Sequence, residues 1–317
     1  MPARSDLHVV LGAGGAVGAS VVRELASQGC RVRAVNRSGR VPALPGVEAH
    51  CGDITTAEGA KAACAGAEVV YHCAAPTYDR WVEEFPRMTD AVRQGAAASG
   101  GKLVLADNLY MYGPVDAPMT ETLPYAARNP KGRVRAQMAE GLLAAHRSGE
   151  LRVALGRASD YYGPGGLNTI AGTTVFAAAL AGKPIRWVGA LDQPHTLGYL
   201  PDIARGLVTL GRDTRADGQA WHLPAAPAVT GQEFLDLVIA ALGRPSRTAA
   251  LGRPTQRLIG LFNPTVRALG ETWYQCDRPF VSDTSKFTAT FGPFTATPHA
   301  TAVAATLDWY RACSPGQ

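Results

Sequence analysis

No apolar stretch of the 317-residue sequence approaches the roughly 20 residues that a membrane span requires, so neither a transmembrane helix nor a membrane partner is expected. The six cysteines, Cys30, Cys51, Cys64, Cys73, Cys276 and Cys313, contain no C-x-x-C pair and read as reduced, largely buried thiols rather than disulfides. No His, Cys or acidic pair stands at ligand spacing beside another, so no metal site is expected. A G-x-S-x-G turn is also missing, which leaves a serine hydrolase unsupported. Charge is sparse, at 18% of residues, and the net +5 is spread along the chain with no basic run interleaved with aromatics. Nucleic acid is therefore not an expected partner. Met1-Pro2-Ala3-Arg4-Ser5-Asp6 leads straight into an apolar run, leaving no room for a signal peptide, and a cytoplasmic location is expected. What the chain does have is 46% hydrophobic residues, enough to bury a large core as one large or two coupled domains.

The most informative run is Leu7-His8-Val9-Val10-Leu11-Gly12-Ala13-Gly14-Gly15-Ala16-Val17-Gly18, a short strand turning through glycines into a helix. Gly12 suits a tight turn, Gly15 leaves no side chain between the helix start and a pyrophosphate, and Gly18 allows close helix packing. With Ala16 and Val17 they turn backbone N–H groups and the positive helix end toward phosphate. Val17, Val21 and Leu25 then recur at helical spacing, and Cys30-Arg31-Val32-Arg33-Ala34-Val35 reads as a second strand. That strand ends in Asn36-Arg37-Ser38-Gly39-Arg40, without the acid that usually meets the ribose hydroxyls of NAD. Arg37 and Arg40 suit a 2′-phosphate, so NADP is expected, with NADPH preferred over NADH. The plainer alternative is a solvated basic loop.

Further apolar runs at 47–53, 68–74, 102–108 and 151–157 are separated by helix-length segments, the pattern of a parallel sheet covered on both faces. Beyond Gly163-Pro164-Gly165-Gly166 the chain carries more Pro and Gly and shorter elements, with helices expected over 203–210 and 234–242. The expected fold is therefore α/β, a Rossmann doubly wound parallel sheet with a smaller, mostly helical C-terminal lobe. Residues 1–165 would bind NADP and 166–317 the substrate, the second part returning at least one strand to the sheet. The active site would lie in the crevice beyond the strand ends.

Several motifs carry a family resemblance when taken in order. They are the glycine loop, Gly52-Asp53-Ile54, Val69-Val70-Tyr71-His72-Cys73-Ala74-Ala75, Leu109-Tyr110-Met111-Tyr112-Gly113, and the run Arg157-Ala158-Ser159-Asp160-Tyr161-Tyr162-Gly163-Pro164-Gly165. Together with His195-Thr196-Leu197-Gly198-Tyr199-Leu200-Pro201-Asp202-Ile203-Ala204, they resemble the extended short-chain dehydrogenase/reductases of the epimerase/dehydratase superfamily over nearly the whole chain. The resemblance implies that Asp53 and Ile54 flank the adenine and that Cys73, Ala74 and Ala75 line the cofactor near its nicotinamide ribose, with Ser159 also at the cofactor. Members of that family often form homodimers through two long helices, here 81–98 and 131–146.

The departures from the pattern concern catalysis. The family uses a tyrosine and a lysine four residues apart on the helix after the fifth strand, where the lysine lowers the tyrosine pKa. Here that helix reads Asn129-Pro130-Lys131-Gly132-Arg133-Val134-Arg135-Ala136-Gln137-Met138-Ala139-Glu140 and contains no tyrosine. Aligned on Glu140, the two positions fall on Gly132 and Ala136; shifted by one residue, they fall on Lys131 and Arg135. Asn108 stands where the family's serine or threonine orients the substrate carbonyl. Tyr110, Tyr161 and Asp107 are the candidates for proton transfer, with Arg135 as the cation that would acidify a phenol. Tyr162, His195 and Tyr199 are candidates for substrate binding; for each tyrosine the competing role is packing.

Three functions are consistent with these residues. The leading expectation is an atypical NADP(H)-dependent oxidoreductase acting on a small carbonyl or hydroxyl compound. The second is a redox-neutral epimerase, dehydratase or lyase that retains its NADP. The third is a catalytically inactive NADP-binding sensor.

Overall fold

Every residue of Leu7–Leu11 is buried, as a strand covered on both faces requires. The computed structural model describes residues 6–313. Seven strands form its main sheet: β1 (Leu7–Leu11), β2 (Arg31–Asn36), β3 (Val47–Cys51), β4 (Val69–His72), β5 (Lys102–Asp107), β6 (Arg152–Arg157) and β7 (Gln219–His222). All pairs are parallel, in the order β7-β6-β5-β4-β1-β2-β3. The winding reverses direction between β1 and β4, which opens a crevice at the carboxyl ends of those strands. The sheet does not stop with the first half of the chain, because β7 pairs with β6 from Gln219↔Ala154 to His222↔Arg157.

Helices cover both faces. On one lie α1 (Ala16–Ser27) and α5 (Leu200–Arg212), whose Val21, Val22 and Leu25, and Ile203, Leu207 and Leu210, pack on Val10, Val32 and Val104 of the sheet. On the other lie α2 (Ala57–Cys64), α3 (Trp81–Ser99) and α4 (Pro130–Arg147), with Ala63, Val92, Ala139 and Leu142 against Val9, Leu103 and Leu155. The helix expected over 203–210 begins earlier, at Leu200, because Pro201 sits in its first turn, where a missing N–H costs nothing. The helix expected over 234–242 likewise begins at Gly231, after a capping box in which Thr230 and Glu233 each bond the other's backbone N–H.

Apart from α5 and β7, which join the main sheet, segments of residues 161–313 build a separate core in which Tyr162, Phe176, Trp187, Phe234, Leu307 and Tyr310 meet. Short strand pairs stitch it together: Tyr161–Tyr162 with Gly198–Tyr199, Pro194–His195 with Val229–Thr230, and Ile185–Val188 with Thr248–Leu251. The first pair follows β6 directly, so the lobe is anchored at the edge of the crevice.

Candidate active site

Gly12 takes φ +83°, and a Cβ there would stand 2.6 Å from Ala74 Cα, while one on Gly18 would stand 2.2 Å from Gly12 O. Both positions are closed to any side chain. A Cβ on Gly15 would meet nothing nearer than 3.4 Å, so the tight packing does not require glycine there. Gly14 and Gly15 are exposed at the start of α1. No side chain caps this helix and no acid stands in its first turn, whereas Thr56 caps α2 and Asn129 caps α4. The positive end of α1 is therefore left open to an anion beside a loop with room for one. Ala16 and Val17 follow half-buried, and Val17 reaches the cavity described below.

At the end of β2, Asn36 Oδ1 accepts from the Ser38 N–H and hydroxyl, both at 3.0 Å, and its Nδ2 donates to Arg40 O at 2.9 Å. Asn36 thus shapes the turn that presents Arg37 and Arg40. Both arginines are exposed, and neither guanidinium forms an ion pair or hydrogen bond among the described residues. Asp53 Oδ1 accepts from the Thr55 N–H at 3.0 Å and its hydroxyl at 2.7 Å, and these bonds hold the carboxyl below its usual range. Ile54 beside it is buried.

A cavity of about 490 Å³ opens beyond β4, β5 and β6 and is closed on its far side by the C-terminal lobe. Cys73, Ala74, Ala75, Asp107, Asn108, Ser159, Asp160 and Tyr161 line it from the strand ends, and Thr169, Thr173, Gln275 and Phe280 from the lobe. Asp107, at the end of β5, stands 3.1 Å from Arg135 Nε and 3.2 Å from Arg157 Nε, with all three side chains buried. One carboxylate thus sits between two guanidinium groups, of which Arg135 reaches the cavity and Arg157 lies behind it. Burial lowers the proton affinity of Arg135, and Asp107 opposes that. Arg157 is committed elsewhere as well: it donates to the Tyr112 hydroxyl at 2.6 Å and to that of Tyr125, and Tyr112 in turn bonds His222 Nε2 at 2.9 Å. Asn108 Oδ1 accepts from the Tyr110 N–H at 3.1 Å, leaving its amide N–H groups without a partner among the described residues.

Of the two alignments of α4, only one brings side chains toward this wall. A Cβ on Gly132 would stand 2.3 Å from Ala127 Cβ and 2.6 Å from Tyr110 O, so no tyrosine fits at that position. Ala136 packs away from the cavity with Leu109, Met111 and Tyr112. Arg135 lines the cavity between the Trp81 and Phe85 rings, 5.0 Å and 4.6 Å from their centroids. Lys131 is buried one turn earlier, its Nζ 3.0 Å from Glu271 Oε1 and 4.7 Å above the Tyr78 ring.

The tyrosines divide into two groups. Tyr110 and Tyr161 line the cavity. Burial raises the pKa of both, most strongly for Tyr110, whose hydroxyl accepts from Gln275 Nε2 at 3.3 Å; at Tyr161 the charge of Arg135 works in the opposite direction. Tyr162 lies outside the cavity, packed on Phe176 and Phe234 with its hydroxyl 2.8 Å from His299 Nδ1. The Tyr199 ring lies beside it, tilted by 46° at 5.8 Å between centroids.

Asp160 was not singled out in the sequence, yet its charge is felt at Tyr78, Tyr110, Tyr161, Tyr274 and Cys276, raising the pKa of each. Its Oδ2 stands 3.1 Å from Nε2 of the buried His195, out of line for a full hydrogen bond. The available signal was an acid next to two tyrosines in the turn after the sixth strand. Ser159 Oγ, Asp160 Oδ2, His195 Nε2 and Gln275 Oε1 are all buried without a hydrogen-bond partner among the described residues. Of these residues Ser159, Asp160 and Gln275 line the cavity, and with Asp160 facing His195 the polar atoms left for a ligand are Ser159 Oγ and Gln275 Oε1. No group of three or more His, Cys, Asp or Glu among the described residues is placed to hold a metal ion, and no helix there is long and apolar enough to cross a membrane.

The chain belongs to the NAD dependent epimerase/dehydratase family, which it matches over residues 8–223. Solved structures share its fold along almost its whole length. DesIV of Streptomyces venezuelae, a dTDP-glucose 4,6-dehydratase determined with NAD and TYD, superposes with a TM-score of 0.79 at 21% identity, covering 96% of this chain and 97% of its own. The epimerase Mth375 of Methanothermobacter thermautotrophicus reaches 0.82 at 18% identity, covering 97% and 93%. A UDP-glucuronic acid 4-epimerase of Bacillus cereus, determined with NAD, reaches 0.80 at 15% identity and covers 98% of each chain. No curated protein matches the sequence.

Proposed function

We propose that the chain is a redox-neutral epimerase, dehydratase or lyase that retains a nicotinamide dinucleotide and acts on a hydroxylated substrate. The observation that carries this reading is the pair of unpartnered buried polar atoms Ser159 Oγ and Gln275 Oε1 on the cavity wall beside the Asp160–His195 pair, in a chain of this family. The open, uncapped start of α1 fits a pyrophosphate at Gly12, Gly15, Ala16, Val17 and Gly18. Cys73, Ala74, Ala75 and Ser159 would then stand along the nicotinamide ribose, with Asp53 and Ile54 at the adenine. When bound, the dinucleotide supplies reversible acceptance of hydride. Residues 1–165 serve this cofactor and 166–317 the substrate.

The chain's own work is orientation and proton transfer. Asn108 donates its unpaired amide N–H to the substrate oxygen at which charge develops. Asp160 takes the hydroxyl proton, and the His195 imidazole stabilises either state of the carboxyl and holds it in place. Of the tyrosines, Tyr161 is the better relay, since Arg135 favours its phenolate whereas Tyr110 is pushed well above its usual pKa. Asp107 keeps Arg135 in position. Among the described residues Arg135 is the one cation on the cavity wall, paired with Asp107, which favours an uncharged reacting moiety. UDP- and dTDP-hexoses are the first compounds to try, because the solved relatives include enzymes of such substrates. Arg37 and Arg40, exposed and without an ion pair among the described residues, support NADP over NAD, although DesIV and the Bacillus cereus epimerase were determined with NAD.

The test is to purify the chain, release and identify any retained dinucleotide, and follow the sugar by NMR while recording absorbance of the reduced cofactor. Product without net absorbance change supports the reading. Stoichiometric oxidation or reduction overturns it in favour of a net NADP(H)-dependent oxidoreductase of small carbonyl compounds, the reading that the small, weakly charged cavity also accommodates.

A further inference from the structure

Large exposed apolar side chains are concentrated in one place. Leu258, Ile259, Leu261 and Phe262 are 64%, 44%, 68% and 88% exposed, and they crowd the end of the helix Arg253–Gly260 and the turn that follows. The hairpin that presents them is firmly built. Asn263 caps the next helix, Pro264–Ala268, through Val266 N at 3.1 Å, and Gln256 Nε2 ties the two helices together by donating to Val266 O at 2.7 Å. Around this apolar tip stand Arg253, Arg257 and Arg267, all exposed and none in an ion pair among the described residues, and no acid occurs from 253 to 270. The neighbouring acids are Glu271, paired with Lys131 at 3.0 Å, and Asp79, Glu83 and Glu84, of which the last two are engaged by Arg80 at 3.5 Å and 2.9 Å.

We infer that residues 253–268 dock on the surface of a bilayer that contains anionic lipid. Four apolar side chains at a tip and three unpaired guanidinium groups behind it match the two layers of a membrane interface, acyl chains below and phosphates above. Arginine stems lie along the boundary while their heads reach phosphate. This is surface attachment by a preformed hairpin and not a spanning helix, and it departs from the expectation, drawn from the lack of a long apolar run, that the chain has no membrane partner. The same segment contributes Thr265, and just beyond it Leu269, to the cavity wall, so docking would set the cavity beside the lipid.

The experiment is sedimentation of the full chain with vesicles of phosphatidylcholine alone and of phosphatidylcholine with phosphatidylglycerol, at low and high salt. The wild type pellets with the anionic vesicles, less so at high salt. Leu261→Ser combined with Phe262→Ser lowers that partitioning by about tenfold or more, since both side chains lose the burial that insertion offers them. Arg257→Glu with Arg267→Glu lowers it on anionic vesicles only. These four residues lie outside the cavity wall, so the measurement does not depend on the activity proposed above. The inference falls if the wild type stays in the supernatant with anionic vesicles at low salt, or if the serine variant partitions as well as the wild type. It also falls if the serine substitutions instead dissociate a dimer, which would make the tip a contact between copies of the chain.

Discussion

Two helix starts face the same crevice and are built in opposite ways. At α1 the glycine loop leaves the first turn uncapped and exposed, with space beside Gly15. At α4, Asn129 caps the Gly132 N–H at 2.7 Å, and Ala127 and the Tyr110 carbonyl fill the space where a side chain on Gly132 would go. The first start is open to a ligand and the second is sealed. That difference explains how a member of this family lacks a tyrosine on α4 and still has a polar cavity. On the function proposed above, the groups that move protons come from the turn after β6, where Asp160 meets His195, instead of from the helix.

The glycine loop offers the sharpest way to break the contrast. Gly18→Ala would press a methyl group on a backbone carbonyl that cannot yield, and should destabilise the fold by about 3 kcal/mol or more in urea unfolding. Gly15→Ala should cost less than about 1 kcal/mol by the same measurement yet weaken dinucleotide binding about tenfold or more. If it lowered stability and spared binding, the open start would be a packing feature only.

On the sealed side, Asp107→Ala would leave two buried guanidinium groups without their carboxylate, and a loss of about 3–5 kcal/mol in unfolding free energy is expected. Asp160→Asn, at a side chain 21% exposed against 1% for Asp107, should leave stability nearly intact while turnover falls about 10²- to 10⁴-fold. Asn108→Ala should lower turnover about 10²-fold with dinucleotide affinity unchanged. Equal turnover in Asp160→Asn and the wild type would return the proton-transfer role to Tyr161 or Tyr110.

The strands beneath the crevice predict an acid sensitivity. Burial pushes His8 down to about 4 and His72 down to about 3, so both are neutral in the fold. The unfolded chain binds those protons near pH 6.5, so stability is complete above that value and declines as pH falls toward the folded values. The loss should be on the order of 3 kcal/mol for His8 and 4 kcal/mol for His72 once pH reaches the folded values, and His72→Gln should flatten the curve measured by denaturant titration across that range. The smallest effect is expected at the far end of the open site, where Arg37→Ala should weaken NADPH about tenfold relative to NADH in direct binding. Equal weakening of both would remove the 2′-phosphate from the account.

Much of the first half was legible because its signals are local. An apolar strand, three glycines at fixed spacing and a helix with Val17, Val21 and Leu25 on one face are read within a single stretch of chain. The parallel sheet follows from repeating that unit. Helix starts were less legible: Pro201 and the Thr230–Glu233 capping box extend two helices beyond their apolar periodicity. The choice between Gly132 with Ala136 and Lys131 with Arg135 could not be made from spacing, since one residue rotates a helix by a large part of its face. Ala127 and Tyr110, which close off Gly132, come from other parts of the chain.

The sequence by itself determined the doubly wound sheet, the glycine loop and the crevice at its carboxyl edge, because short-range periodicity and backbone freedom dictate them. Only the tertiary structure decided what stands in that crevice. Asp160 and His195 are brought to 3.1 Å, and Asp107 is set between Arg135 and Arg157, by contacts distant in the sequence. It also left Leu261 and Phe262 outside the core, where the same apolar side chains that elsewhere hold the protein together are turned to solvent. Burial, and with it pKa and the fate of each polar atom, is a property of neighbours in space, and those neighbours are supplied by the fold.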